Sequence, residues 1–194
     1  SFTILDGHGP IPKNQLGITP ILVYQATIYP QGRMKGIVLK GIDSNQTILE
    51  LPIEKVKTSE AKFPVIIGKR LAESAKLNKG DEVQIRWRDK NGTYDANTLT
   101  IVDVFDSNVP NIDNGQIWMD IKTLWEMTDL NQEASFFVAD KNYKVEAFSL
   151  WLFKSQEALL KQLKDLINQK KTGQAIIYLL LMAIAVSYTH LRAH

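Results

Sequence analysis

The sequence contains no cysteine and only three histidines. Without cysteine it can hold neither a disulfide framework nor a thiolate zinc site. That absence fits an exported domain with no thiols to oxidise, although a small cytosolic domain can lack cysteine as well. The histidines are His8, in a Gly-His-Gly loop, and His190 and His194, in the last eight residues. No H-E-x-x-H spacing is present, and no two histidines share a helix face, which excludes the common histidine metal motifs. The phosphate-cradling patterns G-x-G-x-x-G and G-x-x-x-x-G-K-S/T are also missing, so any ATP is handled elsewhere. Basic and acidic residues number 23 and 21, for a net charge of +2. They are interleaved and form no basic face, which argues against nucleic acid as a partner. No basic start followed by an apolar stretch opens the chain at Ser1 to Gly9, so if the domain is exported its export signal is expected upstream. What is present is a chain of 194 residues with 44% apolar content. That is enough to bury one core and to build two subdomains, and it excludes disorder.

The most informative segment lies near the C-terminus, where Thr172 to Leu191 carries no charged residue and Ala175 to Val186 reads AIIYLLLMAIAV. A spanning helix needs about 20 apolar residues, and a run of about 10 to 14 is more often a core helix or interfacial segment. Length alone leaves the choice open. A buried C-terminal helix, however, keeps a polar stripe at helical spacing, and this run has none. It is therefore expected to enter lipid as the start of a truncated transmembrane helix. The closing SYTHLRAH, residues 187 to 194, changes character abruptly and is expected to be a non-native tail. The expected organisation is a folded domain over 1–174, the start of a spanning helix over 175–186, and the tail over 187–194.

Within the domain, β-branched and aromatic residues in Ile18 to Tyr29 predict a strand. Pro30-Gln31-Gly32 then turns the chain into Lys35 to Ile42, completing a hairpin. Asp43 to Lys62 reads as a connection whose Ile48, Leu49, Leu51 and Ile53 cover a core edge. Pro64 to Ile67 predicts a short strand, and Gly68 leads into a helix with Leu71, Ala72 and Ala75 on one side. Asn78-Lys79-Gly80 is expected to end that helix, glycine suiting the left-handed turn. Glu82 to Arg88 alternates, placing Val83, Ile85 and Trp87 on one face and Glu82, Gln84, Arg86 and Arg88 on the other. Lys90-Asn91-Gly92 reads as a tight turn, with Thr98 to Phe105 returning as the partner strand. After the polar loop Asp106 to Gly115, Ile117 to Met119 predicts a strand and Asp120 the N-cap of a helix carrying Ile121, Leu124, Trp125 and Thr128. Ala134 to Ala139 predicts one more strand. From the N-cap Ser155, Leu159, Leu160, Leu163, Leu166 and Ile167 recur at helical spacing opposite Lys161, Lys164, Asp165 and Gln169. This helix is expected to lie against something apolar and to run on through Lys170 to Gln174 as a rigid stalk into the membrane. The fold class is α+β, a mixed sheet-and-helix domain with two subdomains.

Candidate chemistry is sparse. Asp103, Asp106 and Asp113 are the one acidic group to weigh for calcium or acid–base work. Loop aspartates usually bond their own backbone, and this spacing does not match a calcium loop. The four tryptophans, Trp87, Trp118, Trp125 and Trp151, are imaginable as a stacking platform for sugars or bases, but Trp87 and Trp125 fall on the apolar faces of their elements, where large aromatics fill the core. Trp151, in Phe148 to Phe153 (FSLWLF), leaves two readings open: a fully buried strand, or a patch for a partner or lipid surface. No residue is assigned a catalytic, cofactor-binding or metal-binding role, no cofactor is expected, and the domain reads as non-enzymatic.

Taken in order, five pieces resemble the extracytoplasmic, or periplasmic core, domain of ABC transporter permeases of the MacB and LolC/LolE (FtsX-like) type. Ile37 to Asp43 (IVLKGID) resembles the family's strand ending in G-I-D. Val65 to Asp81 (VIIGKRLAESAKLNKGD) resembles its strand, glycine, helix with L-A, and closing G-D. Thr100 to Phe105 (TIVDVF) resembles the return strand, Gln116 to Leu124 (QIWMDIKTL) the short strand capped into a helix, and Tyr178 to Val186 the beginning of the second spanning helix. Residues 1 to 17 match only loosely. The resemblance implies a mechanotransmission exporter, in which a cytoplasmic ATPase subunit or domain closes on ATP and the extracytoplasmic domains of two permease copies, alike or homologous, move against each other. It implies a lipoprotein, small molecule or peptide as cargo, lipid contact through the C-terminal helix, and residence in the inner (plasma) membrane with this domain on the periplasmic side. The alternative within the same fold is an FtsX-like signalling or scaffold domain that regulates a cell-wall hydrolase. A membrane-tethered enzyme built on the loop aspartates is the third possibility.

Overall fold

The computed structural model describes residues 7–12, 17–107 and 115–140, together with Trp151, Glu157, Leu160, Lys161, Lys164, Asp165, 167–171 and Gln174. The chain divides into two units, Ser1–Lys144 and Val145–His194. In the first, side chains of alternating polarity make strands, because successive residues on a strand point to opposite faces. These are β1 (Gly9–Pro10), β2 (Ile18–Ile28), β3 (Lys35–Ile42), β4 (Pro64–Gly68), β5 (Glu82–Arg88), β6 (Tyr94–Phe105), β7 (Gln116–Asp120), β8 (Glu133–Ala134) and β9 (Phe136–Ala139). Among the described residues three helices interrupt them: α1 (Glu54–Lys57), α2 (Lys69–Ala75) and α3 (Ile121–Thr128). The domain is α+β, as the sequence predicts.

The large sheet runs β3-β7-β4-β6-β5-β2-β9, and β3 also pairs with β2. Six strands therefore close on themselves as a barrel, with β9 attached outside the ring to the first part of β2. β3 and β7 are parallel, as are β4 and β6, and the remaining neighbours are antiparallel. Strand β2 makes closure possible by its length. One edge pairs with β3 over Ile21 to Ile28, while the other pairs first with β9 (Ile18 to Ile21) and then with β5 (Ala26 to Ile28).

Two apolar clusters separate along these strands. The inner one takes Leu22, Ile28 and Leu39 from the hairpin, Val65 and Ile67 from β4, and Val83, Ile85 and Trp87 from β5, with Leu71 of α2 and Leu124 of α3 joining it. The outer one takes the opposite-facing Ile21, Ile42, Ile66 and Trp118, covered by Ile53 and Val56. Leu49 and Leu51 pack against this outer cluster, so the 43–62 connection covers a core edge as its apolar residues predict. Within it the single turn α1 was not foreseen from sequence, Val56 being its one buried residue.

A register shift at Val65/Ile66 opposite Ile101 and Asp103 leaves Val102 as an extra residue on β6. Strict alternation from the inward Leu99 and Ile101 would turn Asp103 into the barrel. The bulge instead brings Val104 to the inner cluster and Val102 and Phe105 to the outer one, as an inserted residue must. Helix α2 ends earlier than the glycine signal implies. Lys76 adopts the left-handed conformation (φ 53°), and Leu77 N–H donates to the Ala72 carbonyl at 2.9 Å. Burial of Leu77, 7% exposed, accompanies this Schellman-type turn. Gly80 (φ 92°) serves the next turn, where its N–H donates to the Ile101 carbonyl at 2.7 Å. The predicted strand over Ala134 to Ala139 is split. Ala134 pairs with Gly9 of β1, Ser135 N–H donates to the Ile21 carbonyl, and only Phe136 onward joins β2. The second hairpin is longer than foreseen, because Tyr94 to Asn97 already pair with Ile85 to Arg88.

Gly41, the glycine of the G-I-D stretch, brings β3 against α3. A Cβ there would sit 3.0 Å from the Ile121 Cα and 3.0 Å from the Leu124 Cδ2, whereas one on Gly36 meets nothing within 4 Å. Gly41→Val is predicted to destabilise the domain by about 1–3 kcal/mol through overpacking. Gly36→Ala should be neutral or slightly stabilising, since it removes unfolded-state freedom. Denaturant midpoints followed by tryptophan fluorescence check both; equal costs at the two sites would contradict the packing of α3 on Gly41.

Candidate functional site

The structure places the weighed carboxylates in separate ion pairs. The bulge turns Asp103 outward, where its Oδ2 lies 2.6 Å from Lys55 Nζ and its Oδ1 lies 3.7 Å from Lys79 Nζ. Asp106 pairs with Lys69 at 3.3 Å, and Asp113 lies outside the described residues. The two described aspartates thus tie α1, the 76–81 turn and the start of α2 to the end of β6. Among the described residues no three His, Cys, Asp or Glu side chains are grouped as metal ligands. His8 Nδ1 engages the Glu133 carboxylate, strapping β1 to β8. The Glu133 carbonyl in turn accepts the Trp125 Nε1 proton at 2.8 Å. His190 and His194 lie outside the described residues.

The tryptophans in the first unit are structural. Trp87 is 3% exposed and donates its Nε1 proton to the Met127 carbonyl at 2.7 Å, which joins β5 to the end of α3. Trp118 is 3% exposed in the outer cluster, and its buried Nε1 has no acceptor among the described residues. Its ring lies under the Lys40 ammonium, 4.8 Å from ring centroid to Nζ. Burial of Lys40 disfavours its charged form and lowers its pKa below the usual 10.5. Trp125 and Trp151 are half-buried; the rest of Phe148 to Phe153 lies outside the described residues.

Four of the five stretches that carried the family resemblance meet at one side of the barrel, in the neighbouring strands β3, β7, β4 and β6; the fifth, Tyr178 to Val186, lies outside the described residues. In the parallel register of β3 and β7, Ile42 stands beside Asp120. Asp120 accepts the Lys122 N–H at 2.9 Å as the predicted cap of α3 and the Ser44 N–H at 3.3 Å. Asp43 turns the chain by accepting the Asn45 N–H at 2.9 Å. The closing Gly-Asp works likewise: Asp81 Oδ2 accepts the Asn78 N–H at 2.7 Å, and the Asp81 carbonyl accepts the Ile101 N–H at 2.9 Å. These motifs carry turns, caps and close packing.

No protein-family model matches the sequence, and no curated protein matches it. Among solved structures, the chain is similar to the extracellular domain of the noncanonic ABC-type transporter YknZ from Gram-positive bacteria. The identity is 14% and the TM-score 0.44, over 66% of this chain and 65% of that one. A likeness this loose decides neither fold nor function.

In the second unit the backbone is helical at each described position from Glu157 to Gln174. Leu160 and Ile167, expected to lie against an apolar partner, are 48% and 46% exposed. Among the described residues no helix is long and apolar enough to cross a membrane; Ala175 to Val186 and the 187–194 tail lie outside them. One arrangement in the first unit was not foreseen. Tyr94 belongs to β6 opposite Arg88, with the Arg86 guanidinium 4.1 Å and that of Arg88 5.7 Å from its ring centroid. The alternation of β5 had marked both arginines only as members of a solvent face. The cross-strand tyrosine was the missing signal.

Asp120→Ala is predicted to cost about 1 kcal/mol through loss of the α3 cap, while Asp106→Ala, which removes one exposed ion pair, should leave the denaturation midpoint unchanged. Equal effects would contradict these assignments. Lys40 binds its proton more weakly folded than unfolded, so between its lowered folded pKa and 10.5 the unfolded state holds more protons. Stability from this group therefore rises with pH across that window. Lys40→Met should flatten that rise in a pH series of urea midpoints, and an unchanged slope would show that Lys40 is not its source.

Proposed function

We propose that the chain is the extracytoplasmic domain of an ABC exporter permease of the mechanotransmission type, with no chemistry of its own. The observation that carries this reading is the junction at Gln174. The described helical positions run from Glu157 to Gln174, and the uncharged run AIIYLLLMAIAV follows directly in the sequence. Helical pairs Glu157–Lys161 and Lys161–Asp165, four residues apart, each add a few tenths of a kcal/mol to its stiffness. The ordered series of family-like motifs supports the same reading, as do the ion pairs of Asp103 and Asp106 and the packing of Trp87, Trp118 and Trp125.

On this reading a cytoplasmic ATPase closes on ATP, the spanning helices shift, and the stalk carries that shift to the folded domain. Two permease copies, identical or homologous, then move against each other and expel a lipoprotein, a small molecule or a peptide. The domain stands on the periplasmic side of the inner membrane, with its C-terminal helix in lipid. Its task is to move as a body.

Inserting two glycines after Gln169 in the complete transporter tests the proposal, because each glycine costs about 1 kcal/mol of helix stability and breaks the continuity of the stalk. ATP hydrolysis and the thermal unfolding of the folded domain should persist while cargo transport is lost. Transport at the unmodified rate would overturn the stalk mechanism.

A further inference from the structure

An open groove of about 650 Å³ crosses the seam where β2 meets β5, lined by residues including Thr27, Gly36, Arg86, Arg88, Tyr94 and Gly115. Its volume falls within the range of natural ligand sites. Cross-strand register explains its shape. Gly36, Thr27, Arg86 and Ala96 stand in one row across β3, β2, β5 and β6, so a glycine and an alanine flank the row and leave a trough above Thr27. A Cβ on Gly36 or Gly115 would meet nothing within 4 Å, and Gly36 is exposed while Gly115 is half-buried.

The groove is cationic and its cations are held in place. The Arg86 guanidinium stacks on the Tyr94 ring at 4.1 Å, and that of Arg88 lies 5.7 Å from the same ring. Arg88 also donates its Nε proton to the Gly92 carbonyl at 2.7 Å. Neither arginine makes an ion pair with a carboxylate among the described residues, and Tyr94 is 61% exposed. Stacked guanidinium groups keep most of their N–H donors free for a bidentate acceptor.

We propose that this groove binds an extended acidic peptide segment of a partner protein. Arg86 and Arg88 are two residues apart on one strand face, which separates their attachment points by about 7 Å. An extended peptide with acidic residues at alternate positions presents its carboxylates at that same repeat on one side, so each carboxylate meets one guanidinium. Thr27 and Gln25 offer hydrogen bonds along the trough, and Gly36 gives the peptide backbone room. A lone phosphate would meet these cations while leaving most of the groove empty, so an extended ligand fits the volume better. This inference does not rest on the transporter reading.

The test uses the full chain in a zwitterionic detergent and fluorescence anisotropy with a short fluorescein-labelled peptide of alternating Glu and Ser. Saturable binding is expected. Charge removal in the Arg86→Gln/Arg88→Gln double variant should weaken it by at least about tenfold, as loss of two charge-assisted contacts requires. Filling the trough with Gly36→Phe should block it, and a Lys–Ser peptide should not bind. Thermal unfolding should be unchanged in the arginine variant, whose side chains are exposed. Absence of binding to the Glu–Ser peptide, or equal binding by the arginine variant or by a folded Gly36→Phe variant, would overturn the proposal. So would an arginine-dependent attachment to anionic lipid vesicles with no binding of the peptide, which would assign the cations to a headgroup.

Discussion

Closure of the barrel through β2 is the constraint on which the rest of the structure depends. Ala26, Thr27 and Ile28 must pair with β5 on one edge while the same residues pair with β3 on the other. The seam to β5 has three residue pairs, against seven between β5 and β6. It is reinforced from outside by Tyr29 N–H, which donates to the Gln84 carbonyl at 3.0 Å. A closed barrel leaves no free edge within the ring, and its inner cluster is enclosed by all six strands.

From that closure follow the positions of the other parts. The two-faced strands need an inner and an outer cluster, and the bulge at Val102 lets one strand serve both without burying Asp103. The glycine at Gly41 lets α3 sit at the end of the barrel, where Asp120 caps it and Trp87 reaches the Met127 carbonyl. The apparent motifs of the sequence are therefore devices of closure. A closed ring resists shear between its strands, which is the property the proposed mechanism asks of this domain. The seam also creates the cationic trough, because it sets Arg86 of β5 beside Thr27 of β2 and Gly36 of β3.

Most local elements were legible, since they are written in short-range chemistry. Val83, Ile85 and Trp87 alternate visibly, the Pro30-Gln31-Gly32 turn marks the first hairpin, and Asp120 announces its helix. What escaped depends on partners distant in sequence. Nothing near Ile18 to Ile28 reveals that one strand has three neighbours, and Gly9 and Pro10 become a strand only because Ala134 and Glu133 lie beside them. The left-handed Lys76 was missed because glycine is the usual signal for that conformation, whereas here burial of Leu77 goes with it. Asp103 and Asp106, weighed in the sequence as loop carboxylates, turn out to meet lysines from α1, α2 and the 76–81 turn, partners that their local sequence does not announce. The Arg86–Tyr94 stack was not legible, because the strand containing Tyr94 begins earlier than its polar residues suggest.

Amide hydrogen exchange resolved by residue tests the central claim of a closed, rigid body most directly. Backbone amides that bridge β2 and β5, including Tyr29, should be as protected as those of Ile66 and Ile67 in β4, all opening only with global unfolding. Rapid exchange across the seam, with β4 still protected, would describe an open sheet and contradict the account.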